Sequence, residues 1–550
     1  MSTPKSQPRL KRRAVKDNCS LYLKIVTTSG NEIKFDVLDC SIKAIGTKTA
    51  RKNITDPLEI DSLITEGFLH DQENKIEIQP GRLVVSRLEE RGDYFYVAFV
   101  FVDTHVPIDG VLSHYLVTDF DNNKSDYERD MNPDKFNISH FISAESKNID
   151  LFHRANDFAV YYEAWAKMDK FAYFKPRKSS KGARVTIAHE GQSQNFVMMG
   201  SNDYLGLASH PDVLQAAKQA IDTYGLGATG TPPTSGYNQL QQQLETRLAN
   251  LYGREAAVVF PSGFLTNSAT IPSLCREGDL IIADQISHAS MFSGIETSRA
   301  KSMIFRHNNM EHLESILSQH RADYNGCLIL TEGAFSMDGD VGDLPSIQSL
   351  SRKYAARTYV DMGHCIGVLG ETGLGAGEHF GLKSQIDISM GLFSKALGVV
   401  GGFIASDRAV CDWVKVIGKG YLFATALPPA NCAAILASID LMMKGGLREE
   451  LQHKISYFRD GLIKIGAKIS KDHCTPIIPV VVGDRDKINI IYTHLYQNGI
   501  FALPVVYPAV STKLSRIRFS VRVDHSLGDL DFVLKTFAEA LQRANFSFES

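Results

Sequence analysis

Two patterns of hydrophobic and polar positions divide the chain. Residues 1–105 contain short runs rich in β-branched and aromatic side chains, with turn signals such as Ser29-Gly-Asn31 between them. Successive runs of this kind predict short strands that form a small β-barrel. The predicted strands cover residues 21–28, 32–38, 75–78, 82–86 and 94–102.

From residue 165 to residue 550, short apolar runs alternate with amphipathic segments such as residues 239–252. This alternation predicts an α/β domain, in which helices cover a mostly parallel sheet and functional residues lie at the carboxyl ends of the strands. The apolar runs are residues 256–260, 280–283, 327–330 and 358–360. Residues 476–482 and 516–523 are predicted strands of a smaller C-terminal lobe.

The residues between these two parts are more polar. We expect residues 106–164 to form a connecting region that is partly helical, because residues 152–174 have a helical, aromatic-rich pattern. The predicted organisation therefore has three parts: a barrel at 1–105, a connection at 106–164 and an α/β domain at 165–550.

Composition narrows the possible classes of protein. A chain of 550 residues exceeds one ordinary domain, and a formal net charge of −3 gives no global bias toward nucleic acid or anionic membrane. The eight cysteines include no Cys-x-x-Cys pair, which argues against a zinc site or a disulfide framework and is typical of a reducing cytosol. The longest apolar stretch, residues 94–102, is about half of what a membrane helix needs. We expect a cytoplasmic protein with no signal peptide and no metal site.

Five polar features follow five predicted strands of the α/β domain. Each has an ordinary structural explanation when taken alone, such as a surface turn, a structural histidine or an exposed lysine. The five features would lie close together only if the carboxyl ends of these strands form one active site. The features are Pro261-Ser-Gly-Phe264, His288, the loop Thr331-Glu-Gly-Ala-Phe-Ser-Met-Asp-Gly-Asp340, the pair Asp361 and His364, and Lys395.

Lys395 carries the most specific chemistry of the five. Together with an upstream aspartate, Asp361, and a histidine three residues after it, His364, it provides the groups that hold pyridoxal phosphate (PLP). The lysine forms a Schiff base, the carboxylate keeps the pyridine nitrogen protonated, and the ring then serves as an electron sink. The Ser-Gly turn before a helix offers backbone N–H groups to the phosphate.

Residues from about 165 to 545 resemble the α-oxoamine synthases, which are fold-type-I PLP enzymes of the class II aminotransferase group. The matching motifs occur in the family's order and at similar spacing. They are Ser201-Asn-Asp-Tyr-Leu-Gly-Leu207, His288-Ala-Ser290, Phe335-Ser-Met-Asp-Gly-Asp340, Asp361-x-x-His364 and Phe393-Ser-Lys-Ala-Leu-Gly398. The resemblance implies a large domain with a mostly parallel seven-stranded sheet, a smaller C-terminal α+β lobe and a homodimer.

The resemblance also implies roles for individual residues. Lys395 would be the Schiff-base lysine, Asp361 would pair with the pyridinium nitrogen, and His288 would stack on the ring. Ser336 and His364 would contact the phenolic oxygen or the substrate. The phosphate would be held by Ser262, Gly263, Phe264 and, from a neighbouring subunit, Thr425, and the substrate by Asn202, Tyr204 and Arg518, with Arg518 on the amino acid's carboxylate.

The implied reaction is the condensation of an amino acid with an acyl thioester, either acyl-CoA or an acyl carrier protein (ACP), with decarboxylation to an α-amino ketone. Two alternatives remain open: a PLP-dependent aminotransferase, and a catalytically inactive PLP fold that serves as a scaffold. The chain departs from the family at three positions. Leu392 replaces a phosphate-binding hydroxyl, Pro232 falls where the family has arginine, and Val506 stands where some members have a second arginine.

The N-terminal part resembles the PilZ domain, a β-barrel that binds cyclic di-GMP. The matching residues are Arg9 and Arg13 of an Arg-x-x-x-Arg motif and Asp39 and Ser41 of an Asp-x-Ser motif, whereas Ala44 occupies the family's glycine position. The resemblance implies that cyclic di-GMP regulates the synthase. The alternative is a barrel that serves for dimerisation or as a scaffold.

Overall fold

The chain divides into two compact units, Met1–Met168 and Asp169–Ser550. The structure is a computed structural model. It describes the backbone of strands between residues 13 and 101, the helix Leu151–Ala166, and residues 173–179, 182–189, 192–507 and 509–548. The finer division into residues 1–105, 106–164 and 165–550 stays a prediction.

The first unit contains an antiparallel sheet with the strand order β6-β5-β2-β3-β4-β8-β7, and β1 pairs with β3. The strands predicted from the sequence all occur, with ends that differ by a few residues, but closure into a barrel stays a prediction. The strands are β1 Arg13–Ala14, β2 Tyr22–Val26, β3 Glu32–Ser41, β4 Ala44–Ala50, β5 Glu66–His70, β6 Lys75–Ile78, β7 Leu83–Arg91 and β8 Tyr94–Phe101.

The predicted helix at residues 152–174 is shorter in the structure and spans Leu151–Ala166. Lys178 N donates to Thr186 O over 2.8 Å, and Arg177 forms a β-bridge with Ile187. The segment 173–179 is therefore extended rather than helical. Pro176 contributes, because a proline disfavours helical backbone in the residue before it.

The second unit is built on a seven-stranded sheet with the order β11-β17-β16-β15-β14-β12-β13. Only β17 runs antiparallel to its neighbours, so the mostly parallel sheet is confirmed. The strands are β11 Ala256–Phe260, β12 Leu280–Asp284, β13 Lys301–Phe305, β14 Cys327–Glu332, β15 Arg357–Asp361, β16 Ile388–Leu392 and β17 Gly402–Ser406.

Side chains of this sheet alternate between two cores, as the two-residue period of a strand requires. On β12, Ile281 and Ala283 join one hydrophobic cluster, whereas Leu280 and Ile282 join another. Burial on both faces explains why these strands read as continuous apolar runs. The helices of this part are Pro211–Tyr224, Gln239–Tyr252, Gly263–Leu274, Ala289–Ser298, Met310–His320, Leu344–Lys353, Ala376–His379, Arg408–Ile417, Lys419–Leu422 and Pro429–Met443.

The C-terminal lobe contains an antiparallel sheet of β18 Ile477–Val481, β21 Arg516–Ser520 and β20 Leu503–Val505, with β21 in the middle. A second small sheet pairs β10 Gln192–Met198 with β9 Arg184–His189 and with β19 Ile500–Phe501. The helices of the lobe are Leu447–Lys464, Arg485–Gln497 and Leu527–Arg543. Among the residues that the structure describes, none of the helices is both long and apolar enough to span a bilayer.

Candidate active site

The carboxyl ends of neighbouring parallel strands bring several polar side chains together. Glu332 ends β14 and is in register with Asp361 at the end of β15, which is in register with Met390 of β16. Lys395 follows β16 after two intervening residues. Four of the five predicted features follow the adjacent strands β12, β14, β15 and β16, whereas the fifth, at residues 261–264, follows β11, which the antiparallel strand β17 separates from β16. Between β12 and β14 in the chain lies β13, which carries none of the predicted residues.

Asp361 is held by a buried hydrogen-bond network. Its Oδ1 accepts from Gly363 N over 2.8 Å, and its Oδ2 accepts from Asn267 Nδ2 over 2.8 Å. Tyr359 donates its hydroxyl to Asn267 Oδ1 over 2.7 Å. With both oxygens bonded, the carboxylate is fixed in position and 5% exposed.

The same amide connects Asp361 to His288. Asn267 Nδ2 also donates to Ser290 Oγ over 2.9 Å, and Ser290 Oγ lies 2.7 Å from His288 Nδ1. His288 Nδ1 accepts from Ser290 N at the start of the helix Ala289–Ser298, which leaves Nε2 as the protonated nitrogen of a neutral ring. Burial and the nearby Lys395 lower the pKa of His288, and Asp361 opposes this effect.

The environment of Lys395 increases the unprotonated fraction of its amine. Burial lowers its pKa to about 8, although Asp361 and Glu332 pull the pKa upward. A lysine with a depressed pKa is a better nucleophile at neutral pH than an ordinary surface lysine. This property matches the predicted role.

Glu332 is a buried acid that the sequence motifs did not single out. It is 3% exposed, and its Oε1 has no hydrogen-bond partner among the described residues. Burial and the charge of Asp361 raise the pKa of Glu332 well above its usual value, against the opposing effect of Lys395. Burial thus favours the neutral form of Glu332.

His364, Tyr204, Asn202 and Arg518 form a second group beside Lys395. The Tyr204 hydroxyl lies 2.8 Å from His364 Nδ1 and 3.2 Å from Asn202 Oδ1. Asn202 Oδ1 also accepts from Arg518 Nη2 over 3.3 Å. Burial, reinforced by Lys395 and Arg518, lowers the pKa of His364 well below its usual value, so its ring is neutral.

Arg518 and Arg516 lie two residues apart on β21 and both bind the loop after β14. Arg518 Nε donates to Ser336 O over 2.8 Å, and Arg516 Nη1 donates to Met337 O over 3.0 Å and to Asp338 Oδ1 over 2.6 Å. The loop that carries Ser336 is thereby attached to the C-terminal lobe. The predicted carboxylate anchor, Arg518, is 5% exposed and adjacent to the strand-end edge.

The predicted phosphate-binding turn lies at the start of the helix Gly263–Leu274. Ser262 caps this helix by accepting from Leu265 N over 3.2 Å, and the side chain of Phe264 is 52% exposed. A Cβ atom at Gly263 would lie 1.7 Å from Leu392 Cδ2. Leu392 therefore packs directly against the cradle, where a hydroxyl would offer a further phosphate contact.

The remaining predicted positions lie on loops or outside the described side chains. Thr425 is exposed, and the neighbouring Ala426 N donates to Gly230 O over 3.0 Å, which joins its loop to the wide helical turn Pro232–Gly236. Val506 is partly buried against the core. Of the cyclic di-GMP candidates, Arg9 lies outside the described residues, and Arg13, Asp39 and Ser41 are described by backbone alone.

Residues that sequence reasoning missed are those whose role depends on packing. Asn267 had a weak signal, since it is the one amide of a helix whose other polar residues are serines and threonines. Glu332 lies in the loop motif of residues 331–340, but the sequence assigned no role to it. His307 had no local signal: it bridges Asp284, at the end of β12, at 3.0 Å and Asp340, in the loop after β14, at 2.9 Å.

Comparisons with known proteins agree with this arrangement. The family model of class I and II aminotransferases matches residues 194–537. The 8-amino-7-oxononanoate synthase of Treponema denticola is 41% identical over 343 residues, which are 62% of this chain and 87% of that protein. The same enzyme of Thermoanaerobacter pseudethanolicus is 40% identical over 369 residues, which are 67% and 92% of the two chains.

Two solved structures of serine palmitoyltransferases are similar to this chain. The serine palmitoyltransferase of Sphingomonas wittichii superposes with a TM-score of 0.69 at 30% identity, over 72% of this chain and 99% of that chain. The serine palmitoyltransferase of S. paucimobilis, solved with a bound PLP–myriocin aldimine, gives a TM-score of 0.68 at 27% identity, over 72% and 100% of the chains.

Proposed function

We propose that this chain condenses an α-amino acid with an acyl thioester. The premise is that the chain belongs to the class I and II aminotransferase family and is a PLP-dependent acyltransferase of the α-oxoamine synthase type. The amino acid's carboxylate leaves as CO₂, the thiol of the acyl carrier is released, and an α-amino ketone remains. The observation that carries the proposal is the grouping of Lys395, Asp361 and Arg518 at one edge of the sheet.

The residues at this edge fit PLP. The buried carboxylate of Asp361 has a fixed direction, Lys395 is a buried amine with a lowered pKa, and the Gly263 helix start offers N–H groups to a phosphate. His288, neutral and partly open to solvent, suits stacking on a ring. When bound, PLP supplies an electron sink for negative charge at the amino acid's Cα.

The protein's own residues would bind and orient the substrates. Arg518 would bind the amino acid's carboxylate in a fork, since its guanidinium already lies between Ser336 O and Asn202. Lys395 would capture the cofactor and then move the proton at Cα. His364, neutral and fixed by Tyr204, would donate or accept a hydrogen bond at the same centre.

The test is spectroscopic and chemical. The purified protein should show the visible absorbance of bound PLP, and glycine, L-alanine or L-serine should change that absorbance. Comparing metabolites of cells that express wild type or Lys395→Ala by mass spectrometry should identify an α-amino ketone that only wild type makes. A protein that stays colourless with added PLP refutes the proposal. Amine exchange with a 2-oxo acid, without any acyl product, would instead support an aminotransferase.

One observation favours a second candidate, an inactive PLP fold that acts as a scaffold. Leu392 occupies the position of a phosphate-binding hydroxyl and packs against Gly263. The second candidate predicts that PLP binds weakly and that no amino acid changes its absorbance. A spectral response to any of the three amino acids excludes it.

A homodimer is part of the proposal. Large apolar side chains are exposed on segments beside the predicted phosphate cradle, and Thr425 lies on the same loop as Phe423. Apolar surface of this kind is typical of an interface with another subunit. The exposed fractions are 52% for Phe264, 51% for Val400 and 79% for Phe423. Sedimentation equilibrium at micromolar concentration should give twice the chain mass.

Cyclic di-GMP regulation is proposed for the N-terminal unit. The proposal is supported by strand register, because β1 pairs with β3 so that Arg13 is opposite Cys40 and Ala14 is opposite Asp39. The two candidate motifs are therefore neighbours along the sheet. Calorimetry with cyclic di-GMP should show binding that Arg13→Ala removes and Arg51→Ala, outside both motifs, retains. Equal heats for wild type and Arg13→Ala would reject this site.

A cytoplasmic location is also proposed. It is supported by the six cysteines of the described part of the second unit, all of which are free thiols. Unpaired cysteines are typical of a reducing compartment. Fluorescence microscopy of a tagged chain would test this location.

A further inference from the structure

His307, which follows β13, connects two segments that lead into the candidate site. Its Nδ1 lies 3.0 Å from Oδ1 of Asp284, which ends β12, and its Nε2 lies 2.9 Å from Oδ2 of Asp340 in the loop after β14. An ionised carboxylate only accepts hydrogen bonds, so both ring nitrogens of His307 donate and the ring is a cation between two anions. Burial would lower the pKa of His307, but the two aspartates raise it to about 10, in agreement with this geometry.

The next residue, Asn308, makes the same connection a second time. Its Nδ2 donates to Asp340 Oδ2 and to Val341 O, each over 3.0 Å, and its N donates to Asp284 Oδ2 over 3.0 Å. The backbone of Asn308 is left-handed, with a φ of 49°, and asparagine adopts this conformation more readily than most residues do. His307 and Asn308 therefore fasten the loop after β14 to the end of β12.

This loop is a compact unit that begins at Phe335. Phe335 N donates to Asp340 O over 3.0 Å, and Gly339 N donates to Phe335 O over 2.9 Å. The Phe335 ring is fully buried and meets the His307 ring edge to face, with 4.5 Å between the ring centres. His307 thus contacts both ends of the loop, and a displacement of the loop would also displace Ser336, which follows Phe335.

Ser336 connects the loop to the predicted carboxylate anchor. Its carbonyl oxygen accepts from Arg518 Nε over 2.8 Å, while Arg518 Nη2 donates to Asn202 Oδ1 over 3.3 Å. Because a guanidinium is planar, these two bonds set the plane in which its remaining N–H groups point. A shift of about 1 Å in a positioning group can cost on the order of 100-fold in reactivity, so the position of the Ser336 carbonyl matters for binding at Arg518.

The opposite side of the loop is bound by the C-terminal lobe. Arg516 Nη1 donates to Met337 O over 3.0 Å, and Thr475 Oγ1 donates to Gly339 O over 2.6 Å. These contacts do not involve His307, and we expect them to keep the loop folded when His307 is replaced. The expected consequence of a substitution is then a shifted loop rather than an unfolded protein.

We propose that His307 is a positioning residue for the amino acid's carboxylate. It holds the loop after β14 against the end of β12, and the loop orients Arg518 through the Ser336 carbonyl. This inference rests on the proposed condensation, in which Arg518 binds that carboxylate. His307 would not touch the substrate and would act through Arg518 alone.

The test compares amino acids with their amides on the PLP-loaded full chain. Glycine, L-alanine and L-serine carry the carboxylate, whereas the corresponding amides have nearly the same shape without its charge. His307→Gln should weaken the response of the PLP absorbance to the amino acids about tenfold and leave the response to the amides within about twofold. His453→Gln, which replaces an exposed histidine, is the matched control and should change neither. If His307→Gln does not fold, Asp340→Asn, at the more exposed partner, should show the same selective loss.

Two further measurements follow the proposed route of action. In an Arg518→Lys background, adding His307→Gln should change the affinity for the amino acids by less than about twofold, because residues that act in series are not additive. Hydrogen exchange of the PLP-free chain gives a readout that does not depend on the cofactor. The amides of Phe335 and Gly339 should exchange faster in His307→Gln than in wild type.

The outcomes separate positioning from a general loss of stability. A loss confined to the amino acids, and absent in the Arg518→Lys background, confirms the inference. Equal losses for amino acids and amides would show that His307 only stabilises the fold, and additive effects would show that it does not act through Arg518. Either result overturns the inference, as does an unchanged affinity or an unchanged hydrogen exchange of the loop. Wild type whose PLP absorbance responds to none of the three amino acids overturns the proposed function, and with it any role of His307 toward the carboxylate.

Discussion

Replacing Lys395 with methionine should stabilise the PLP-free protein at neutral pH. Burial lowers the pKa of Lys395 from its ordinary 10.5 to about 8, in spite of the opposing effect of the neighbouring carboxyl groups, of which Asp361 has the larger effect. The folded protein therefore binds this proton less tightly than the unfolded chain does. Methionine has a similar length and flexibility but carries no charge to bury.

The size of the effect follows from linkage. One pKa unit corresponds to about 1.4 kcal/mol, so the difference between 10.5 and about 8 sets an upper value on the order of 3 kcal/mol. We expect an observed gain of about 1 to 3 kcal/mol, because the amine is coupled to two neighbouring carboxyl groups. Since the unfolded chain binds more protons between pH 8 and pH 10.5, wild-type stability should rise through this window. The advantage of the methionine variant should therefore vanish near pH 10.5.

The assay is urea unfolding of both PLP-free proteins at pH 7 and at pH 10.5. Trp413, whose Nε1 donates to Ser273 O over 2.7 Å, provides a fluorescence signal from the catalytic unit. Lys468→Met, at an exposed position, serves as the control and should change stability at neither pH. A Lys395→Met protein that is less stable than wild type at pH 7, or whose advantage persists at pH 10.5, would refute the argument.

The same pKa sets how fast the protein captures PLP. With a pKa of about 8, roughly 9% of the Lys395 amine is free at pH 7, compared with about 0.03% for an ordinary lysine. The second-order rate of PLP capture should therefore rise about tenfold between pH 7 and pH 9 and then level off. A rate that still rises tenfold per pH unit at pH 9 would show that the lysine has an ordinary pKa.

The remaining predictions concern four other side chains. Leu392→Thr should tighten PLP binding about fivefold by adding a hydroxyl at the Gly263 cradle. Leu392→Val, which has the shape of threonine without the hydroxyl, should not. Equilibrium dialysis measures both affinities, and equal values for the two variants would show that the hydroxyl makes no phosphate contact. Glu332→Gln should shift the pH titration of the PLP absorbance by less than one pH unit, because burial favours the neutral acid, which resembles an amide, and a larger shift would show that Glu332 carries charge. Arg518→Lys should weaken the spectral response to L-alanine about 100-fold at unchanged PLP affinity, and a drop below threefold would remove Arg518 from the substrate site. Burial would lower the pKa of His307, but its two aspartate partners raise the pKa to about 10. The stabilisation that His307 provides is therefore complete below pH 6.5 and lost as pH rises through 10. The stability difference between wild type and His307→Gln should shrink over that range, and a constant difference would contradict this prediction.

The segments of the second unit that were named from sequence patterns occur in the structure to within a few residues. The segments 239–252 and 256–260 coincide with an observed helix and strand, because amphipathic and buried apolar runs each allow one regular structure. The predicted helix at 152–174 was too long, since aromatic content does not mark where a helix ends.

Some residues of the candidate site could likewise be recognised in the sequence, and others only in the fold. Lys395 and Asp361 were identifiable in the sequence, because PLP chemistry needs these residue types directly after strands. Asn267 and Glu332 were not, because a single amide or acid becomes meaningful only when folding removes it from water and places it against a partner. The consequence of Leu392 was also hidden, since its contact with Gly263 joins positions about 130 residues apart.

The sequence by itself determined the class of chemistry, because the order of strands and the polar residues that follow them leave few arrangements for a parallel sheet. Only the tertiary structure decided the direction in which the pKa values of Lys395, His364 and Glu332 shift, since each depends on burial and on charges brought from other strands. It also decided that a cavity lies beside the Lys395 loop, because segment 173–179 and that loop meet only in the folded chain. Local residue types are encoded along the chain, whereas electric fields and cavities exist only between its distant parts.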